Sequence, residues 1–516
     1  MWVFLVSLSA WAQLAPVCAT PTEAPYFLEI DVRPPPAPPT SELVDRENNP
    51  DVPNRMYSDH FALKWGNSNP LSTEEAERWL NDFEDMLVIM RDDWGMNDPT
   101  GTGGTYFNVY LGDSGNSVPS VNGAAAYFTL TDDGYPYIVL SNILRDDPIY
   151  ARAVIAHEFF HAAQWAEEAY FDWDLSAWYW EATATWAMGE IVAEDSSGAS
   201  FLPFYAMQPQ AGLYHHGSGE HGGAPPDAHQ YGAFIFPQYI SEKLQKPDAI
   251  IESWINGDFY GDPIEHLRQS LSPSVLEDAL VGHASHMIGW DYEDGDLYAQ
   301  YMDRGVEVFP EHDRQIAELE TIDNDWFMVD DTDAPAACGY NTIEIPDGWL
   351  NGNRLTVSLE SASEGDASFR AQVVSLAGDE LEYHTLDHSQ PYDSVTVDPD
   401  AYLWLVVANV STITESPDPA PYRVSFVSRG DADAPEEEEQ EEEDNPTEDT
   451  SPETQEDTRE DEHSSSSGEY RPIGLAAIDE PPPKSGGCSH TPGRTSSALW
   501  LIGLTAMLGL RRRRTE

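Results

Sequence analysis

The chain has 516 residues, too many for one hydrophobic core, and its 16 Trp, 24 Tyr and 18 Phe can bury enough apolar surface for two or more domains. Its formal net charge of −67 is extreme, and setting aside residues 431–462, with 18 Asp and Glu against one Arg, still leaves 74 acidic and 24 basic residues. Such a surface repels phosphate backbones and anionic lipid, which argues against nucleic-acid binding and suits an exposed protein able to take up cations such as calcium.

Residues 1–19 read as a secretory signal peptide, apolar from Trp2 to about Ala12, with Val17-Cys18-Ala19 as a small-residue cleavage site. No Lys or Arg precedes the apolar stretch, which departs from the usual pattern. Cys18 raises a lipoprotein reading, but Val17 stands where a small residue is expected, so simple cleavage after Ala19 is the expectation. Export would permit disulfides, yet the only cysteines are Cys18, Cys338 and Cys488, so stability is expected from the core, with a metal as a further source. Residues 20–55, with Pro34-Pro35-Pro36, read as an extended or loosely packed lead-in.

A globular pattern starts near residue 56 and runs to about 332. His60–Trp65 and Thr105–Leu111 are expected strands, with an amphipathic helix over Thr73–Arg91 between them. Ala124–Thr131 and Tyr137–Leu140 are two more strands, joined by the turn signal Asp132-Asp133-Gly134. Asp147 before Pro148 marks a helix start, and that helix runs through His157-Glu158-Phe159-Phe160-His161 to about Ala169. A second helix, roughly Ser176 to Ala193, carries Trp178-Tyr179-Trp180-Glu181-Ala182-Thr183-Ala184-Thr185-Trp186, and further helical segments fill Phe234–Leu319.

His157 and His161 fall one turn apart on one helical face, so both imidazoles can aim at a single ion. Glu158 is placed to reach a water on that ion, and a catalytic zinc site needs a third protein ligand while keeping one position open. Glu181, 20 residues past His161 on the next helix, can return beside the histidines across a short polar turn at Asp172–Asp174; Asp172 or Asp174 is the rival ligand. A metzincin would carry a third histidine six residues after His161, but position 167 is Glu.

The spacing resembles the gluzincins, whose third ligand is a Glu on the following helix. More narrowly, His157 through Gln164 together with Trp180 through Trp186 is similar to a family of secreted metalloproteases of myxobacteria, over about residues 56–320. One departure is Thr185, where an Asp often orients a ligand histidine. The resemblance implies a zincin-like metallopeptidase domain with zinc on His157, His161 and Glu181 and with Glu158 as general base. Tyr231 in His229-Gln230-Tyr231-Gly232 is the first choice for transition-state stabilisation, with His229 and His221 as rivals. The histidines of Ala211–His229 could also line a lid or a second metal site, and the strand Ala124–Thr131 could offer an edge to a peptide. Trp178, Trp180 and Trp186 are expected to pack in the core rather than form a carbohydrate platform.

Near residue 333 the pattern changes to short β-branched or aromatic runs: Leu355–Leu359, Phe369–Ser375, Ser394–Val397, Tyr402–Val407 and Tyr422–Val427. They predict a β-sandwich over 333–430. The aspartates of 323–325 and 330–333 could ligate Ca2+ but lack the spacing of a known loop, and a solvated turn is the simpler reading. Residues 431–486 are an acidic linker that cannot collapse. Residues 487–516 combine Cys488, a short apolar run from Ala498 to Leu510 and Arg511–Arg514. That order resembles the MYXO-CTERM sorting tail of myxobacteria, which implies a transmembrane sorting segment, a protease cutting near Cys488, and display on the outer surface or release.

The sequence thus predicts an α+β zinc metalloendopeptidase domain, a β-sandwich, a disordered acidic linker and a sorting tail that contacts the membrane before processing. Its expected substrate is an extracellular protein or peptide. The rival is a surface binding or adhesion protein with a structural or vestigial zinc site; an aminopeptidase is a third option.

Overall fold

The computed structural model describes residues 43–46 and 52–427, apart from 116–117, 122, 217–227, 311–312, 324–325, 346–348, 351, 363–366, 388–391 and 417. The expected signal, most of the Pro-rich lead-in, His221, the acidic linker, Cys488 and the sorting tail lie outside the described residues. The chain is mixed α+β with several sheets. Among the described residues no helix is long and apolar enough to cross a membrane.

The first sheet contains β1 (Asn54–Tyr57), β2 (Phe61–Trp65), β3 (Phe107–Leu111), β4 (Ala126–Leu130) and β5 (Pro136–Leu140), in the order β1-β2-β3-β5-β4. Strands β2, β3 and β5 are parallel, while β1 and β4 run antiparallel at the two edges. The crossover from β2 to β3 is helix α1 (Thr73–Leu87), which a capping box starts: Glu75 N donates to Ser72 Oγ at 3.2 Å and Ser72 N to Glu75 Oε2 at 2.8 Å. Helix α1 ends four residues short of the expected Arg91, because the chain widens into a π-helical turn over Val88–Asp93. The Asp132-Asp133-Gly134 turn joins β4 to β5 with Gly134 at φ 78°, a left-handed conformation that glycine adopts without strain.

Behind this sheet stand helix α2 (Pro148–Ala166) and helix α3 (Trp173–Ile191). Asp147 caps α2 by accepting from Ile149 N and Tyr150 N, both at 3.1 Å, with Pro148 at the first helical position. Nearly every residue of both helices beyond the first turn is buried, the signature of helices at the centre of a domain rather than on its surface. Trp178, Trp180 and Trp186 are buried with them. Phe159 fixes the rotation of α2: its ring meets Phe61 of β2 at 5.4 Å and Phe107 of β3 at 5.7 Å, so the sheet claims that face and the histidines turn to the other. The turn into α3 holds Glu168 and Tyr170 at positive φ, costly for residues with a Cβ. Tyr170 offsets this by accepting at its carbonyl from Ser176 Oγ (2.7 Å) and Trp180 Nε1 (2.9 Å).

Seven more α-helices follow among the described residues: α4 (Leu202–Ala206), α5 (His229–Gly232), α6 (Ile235–Glu242), α7 (Pro247–Ile255), α8 (Pro263–Leu271), α9 (Pro273–Met287) and α10 (Gly295–Val308). The chain then turns to strands: β6 (Leu319–Asp323), β7 (Trp326–Val329), β8 (Tyr340–Glu344), β9 (Arg354–Ser361), β10 (Phe369–Ala377), β11 (Glu380–Thr385), β12 (Asp393–Thr396), β13 (Tyr402–Asn409) and β14 (Tyr422–Val427). They form two sheets, β11-β10-β13-β8 and β12-β9-β14-β7-β6, which share one core of residues such as Leu355, Val373, Leu405 and Val424. Strands β6 and β7 precede the change of sequence pattern near residue 333. The β10–β13 sheet packs its second face on the helices, where Val374, Val406 and Ala408 join the main core; that explains runs such as Leu405-Val406-Val407 that do not alternate.

His283 of α9 is fully buried, with its Nδ1 donating to Ala279 O at 3.2 Å and its Nε2 accepting from Tyr205 OH at 2.8 Å. Burial lowers its pKa to about 4, against 6.5 ordinarily. A depressed histidine pKa means that the unfolded chain takes up a proton the native chain refuses. This contribution to stability is therefore whole above pH 6.5 and falls as the pH drops toward 4, by about 3 kcal/mol in all. Urea unfolding at pH 7 and pH 5 should show a smaller loss for His283→Gln than for the wild type; equal losses would remove His283 as the cause.

Candidate metal centre

Helices α2 and α3 pack side by side and bring three side chains to one point. His157 Nε2 and His161 Nε2 are 3.2 Å apart, and Glu181 Oε2 is 3.4 Å from each. Zinc bonds of 2.0–2.1 Å at tetrahedral angles require ligand atoms roughly 3.3–3.4 Å apart. The triangle therefore has the dimensions of three corners of a zinc tetrahedron. Among the described residues no other group of three or more His, Cys, Asp or Glu converges in this way. The turn 330–333 gathers no such group: Asp330 Oδ1 instead accepts from Thr332 N at 2.8 Å and from its hydroxyl at 2.5 Å. Asp172 sits at the N-cap of α3 and Asp174 in its first turn, so Glu181 is the acid that the fold brings to the histidines.

Two imidazole lone pairs this close repel unless a proton or a metal ion lies between them, and a hydrogen-bond chain fixes one of them as a lone pair. Gln164 Nε2 donates to Trp180 O at 3.0 Å and to Thr183 Oγ1 at 2.9 Å; a carbonyl only accepts, which settles which way the amide faces. Gln164 Oε1 is then the atom 2.7 Å from His161 Nδ1, so that nitrogen carries the hydrogen and Nε2 presents its lone pair to the triangle. Gln164 does for His161 what a carboxylate commonly does for a ligand histidine. It also ties α2 to α3 across the site. Thr185 does not take part: its hydroxyl is buried and without a hydrogen bond.

The electrostatics are those of three buried, strongly coupled groups. All three ligands are at most 1% exposed. Burial lowers the pKa of His157, and the neighbouring His161 lowers it further, against the pull of Glu181. Burial also pushes His161 down, but the charge of Glu181 outweighs it and the net direction is up. Glu181 would be raised by burial alone; the two imidazoles hold it well below the carboxylate range. Glu158 is fully buried beside His157, and its charge acts on both His161 and Tyr150. The Tyr231 ring stacks on His157 at 6.2 Å and on Phe201 at 4.9 Å, while Trp180 stacks on His161 at 6.1 Å. His229 is buried but keeps other company: its Nδ1 donates to His215 O at 3.2 Å and its ring meets Tyr205 and His215.

The structure thus assembles His157, His161 and Glu181, sets Glu158 and Tyr231 against them, and leaves His229 among His215 and Tyr205. Gln164 is the site residue that sequence reasoning did not single out; its place one turn after His161 was the available signal. Its replacement by leucine should weaken metal affinity about 10- to 100-fold, read by competition against a fluorescent chelator, with the fold retained. Unchanged affinity would show that the tautomer is set elsewhere.

The chain belongs to the family described as "Family of unknown function (DUF6055)", whose model matches residues 36–409 and so takes in the whole centre. No curated protein matches the chain.

Proposed function

We propose that this chain is an exported zinc metallopeptidase of gluzincin type that hydrolyses peptide bonds of extracellular proteins. The single observation that carries the reading is the ligand triangle at tetrahedral spacing with a second carboxylate, Glu158, beside it. Two imidazoles and one carboxylate are a donor set that suits zinc, and three protein ligands leave a fourth position for reaction. Bound there, zinc would supply polarisation of the scissile carbonyl and acidification of a water molecule.

The chain's own residues supply the rest. Glu158 takes the proton from the attacking water and delivers it to the leaving amine, which needs a carboxylate within hydrogen-bond reach of that water. Tyr231, stacked on His157, is the candidate donor to the oxyanion. Gln164 keeps His161 in its metal-binding tautomer. Strand β4 is a sheet edge packed on α2, with Phe128 6.5 Å from His161, so an extended peptide adding to that edge would run alongside the triad. The sequence patterns of residues 1–19 and 487–516, read as an export signal and a sorting tail, support action at the cell surface or outside it.

Burial of all three ligands favours a second reading, a structural ion in a displayed binding protein, because structural sites are closed. Closed sites, however, are filled by four protein ligands, and only three converge among the described residues. The test is cleavage of casein or gelatin by the purified protein before and after a chelator, with circular dichroism in parallel. Activity lost with the fold intact and restored by zinc supports the peptidase; unfolding without any prior activity supports the structural ion.

A further inference from the structure

The hydrogen bonds behind His161 continue past Gln164 into a third helix. Thr183 Oγ1, on α3, accepts from Gln164 Nε2 at 2.9 Å and from Trp254 Nε1 of α7 at 3.2 Å, and it donates to Tyr179 O at 2.6 Å. Gln164, Thr183 and Trp254 are all fully buried. Trp254 is itself held: its ring stacks on Tyr179 at 5.3 Å and meets Trp180 edge-on at 5.3 Å. Beside it, Ser253 Oγ lies 2.6 Å from Tyr179 OH, a second hydrogen bond between α7 and α3.

The polarity of this chain is fixed from its far end. An indole N–H only donates and a backbone carbonyl only accepts, while a hydroxyl has one hydrogen and two lone pairs. The Thr183 hydrogen goes to Tyr179 O, and one lone pair takes the Trp254 N–H. The second lone pair remains for Gln164, so the amide turns Nε2 to Thr183 and Oε1 to His161 Nδ1. Trp180 O, the other acceptor of that amide, would alone be a pivot. A second anchor at Thr183 fixes the amide plane.

We infer that Thr183 and Trp254 are positioning residues for the metal centre, acting through Gln164 to hold His161 as the Nδ1–H tautomer with its Nε2 lone pair turned to the triangle. Their effect on zinc rests on the reading of the metal centre above; their effect on the tautomer requires no ion.

Competition for zinc against a fluorescent chelator, on the full chain, tests this. Thr183→Val removes the hydroxyl at nearly constant volume and should weaken zinc affinity about tenfold, the lower end for loss of an outer partner of a ligand histidine. Thr183→Ser returns the hydroxyl and should bind zinc as the wild type does. Trp254→Phe keeps the ring stack and should weaken affinity about threefold, since Tyr179 O still orients the hydroxyl; it carries the test if Thr183→Val does not fold. In a Gln164→Leu background neither change should have a further effect, because both act through the amide. A residue that only supports the fold would lower the melting temperature with zinc affinity unchanged, or would add its loss to that of Gln164→Leu. Either result overturns the inference. If the wild type binds no zinc, the reading of the metal centre falls, and the positioning role is decided on the metal-free protein. With 15N-labelled histidine at alkaline pH, the His161 Nδ1–H proton signal, identified by its loss in His161→Ala, should lie downfield in the wild type and move upfield in Thr183→Val. An unmoved signal overturns the role of Thr183.

Discussion

Glu158→Gln is expected to lower peptide hydrolysis by about 10²- to 10⁴-fold while the protein keeps its metal. The substitution preserves shape and volume at a fully buried position of α2, so neither packing nor the ligand triangle should change. What it removes is the ability to accept a proton from water and return it to the amine. Converted at 1.36 kcal/mol per tenfold, the loss is about 3–5 kcal/mol of barrier. The readouts are the turnover of a quenched-fluorescent peptide and zinc content by mass spectrometry, side by side. Zinc retained with turnover unchanged would strip Glu158 of the role of base. Zinc lost together with turnover would make it a structural neighbour of the site.

Asp45→Ala should destabilise the fold by about 3–5 kcal/mol, because it removes a carboxylate that faces a buried ammonium and two further donors. Lys64 of β2 is completely buried, and its Nζ lies 2.6 Å from Asp45 Oδ1. The other oxygen, Oδ2, accepts from Arg55 Nη1 and Tyr57 OH, both at 2.7 Å. Residues 43–46 are docked by the backbone as well: Val44 N donates to Gly104 O at 2.9 Å, and Tyr106 N to Val44 O at 3.2 Å. Arg46 adds a cap by lying over the Tyr135 ring and reaching Asp133. At roughly 2–4 °C per kcal/mol for a domain of this size, the melting temperature should fall by about 6–20 °C. The double change Asp45→Ala with Lys64→Met should recover most of the loss, since an apolar pair in place of a buried ion pair is often neutral. A melting temperature that moves less than 2 °C in the single variant would show that water reaches Lys64.

The same stretch illustrates what the sequence concealed. Residues 20–55 carry a proline-rich composition that reads as a loose lead-in, and nothing in a local window says that Asp45 finds Lys64 nineteen residues later. Helix α2 was legible because its start is chemical: Asp147 before Pro148 can be read without knowing the fold. The triad was legible for a related reason, since helical period fixes His157 against His161 and a short turn returns Glu181 to them. Gln164 was not, because its value comes from Trp180 O and Thr183 Oγ1 on another helix. Strand β8 was missed because it is buried on both faces and shows no alternation; β11 was missed as an edge strand whose Glu380 and Glu382 look like loop residues. Thr185 was seen as a departure from the gluzincin pattern. The structure buries that residue and leaves its hydroxyl without a hydrogen bond to a ligand histidine.

The central claim is that His157, His161 and Glu181 bind one zinc ion and leave it a reactive position. X-ray absorption at the zinc edge on the purified protein measures this most directly. The account predicts one equivalent of zinc per chain, two imidazoles and oxygen donors in the coordination shell, no sulfur, and loss of the ion in His161→Ala and Glu181→Ala. A shell of four protein ligands, or a protein that holds no zinc at stoichiometric supply, would contradict it.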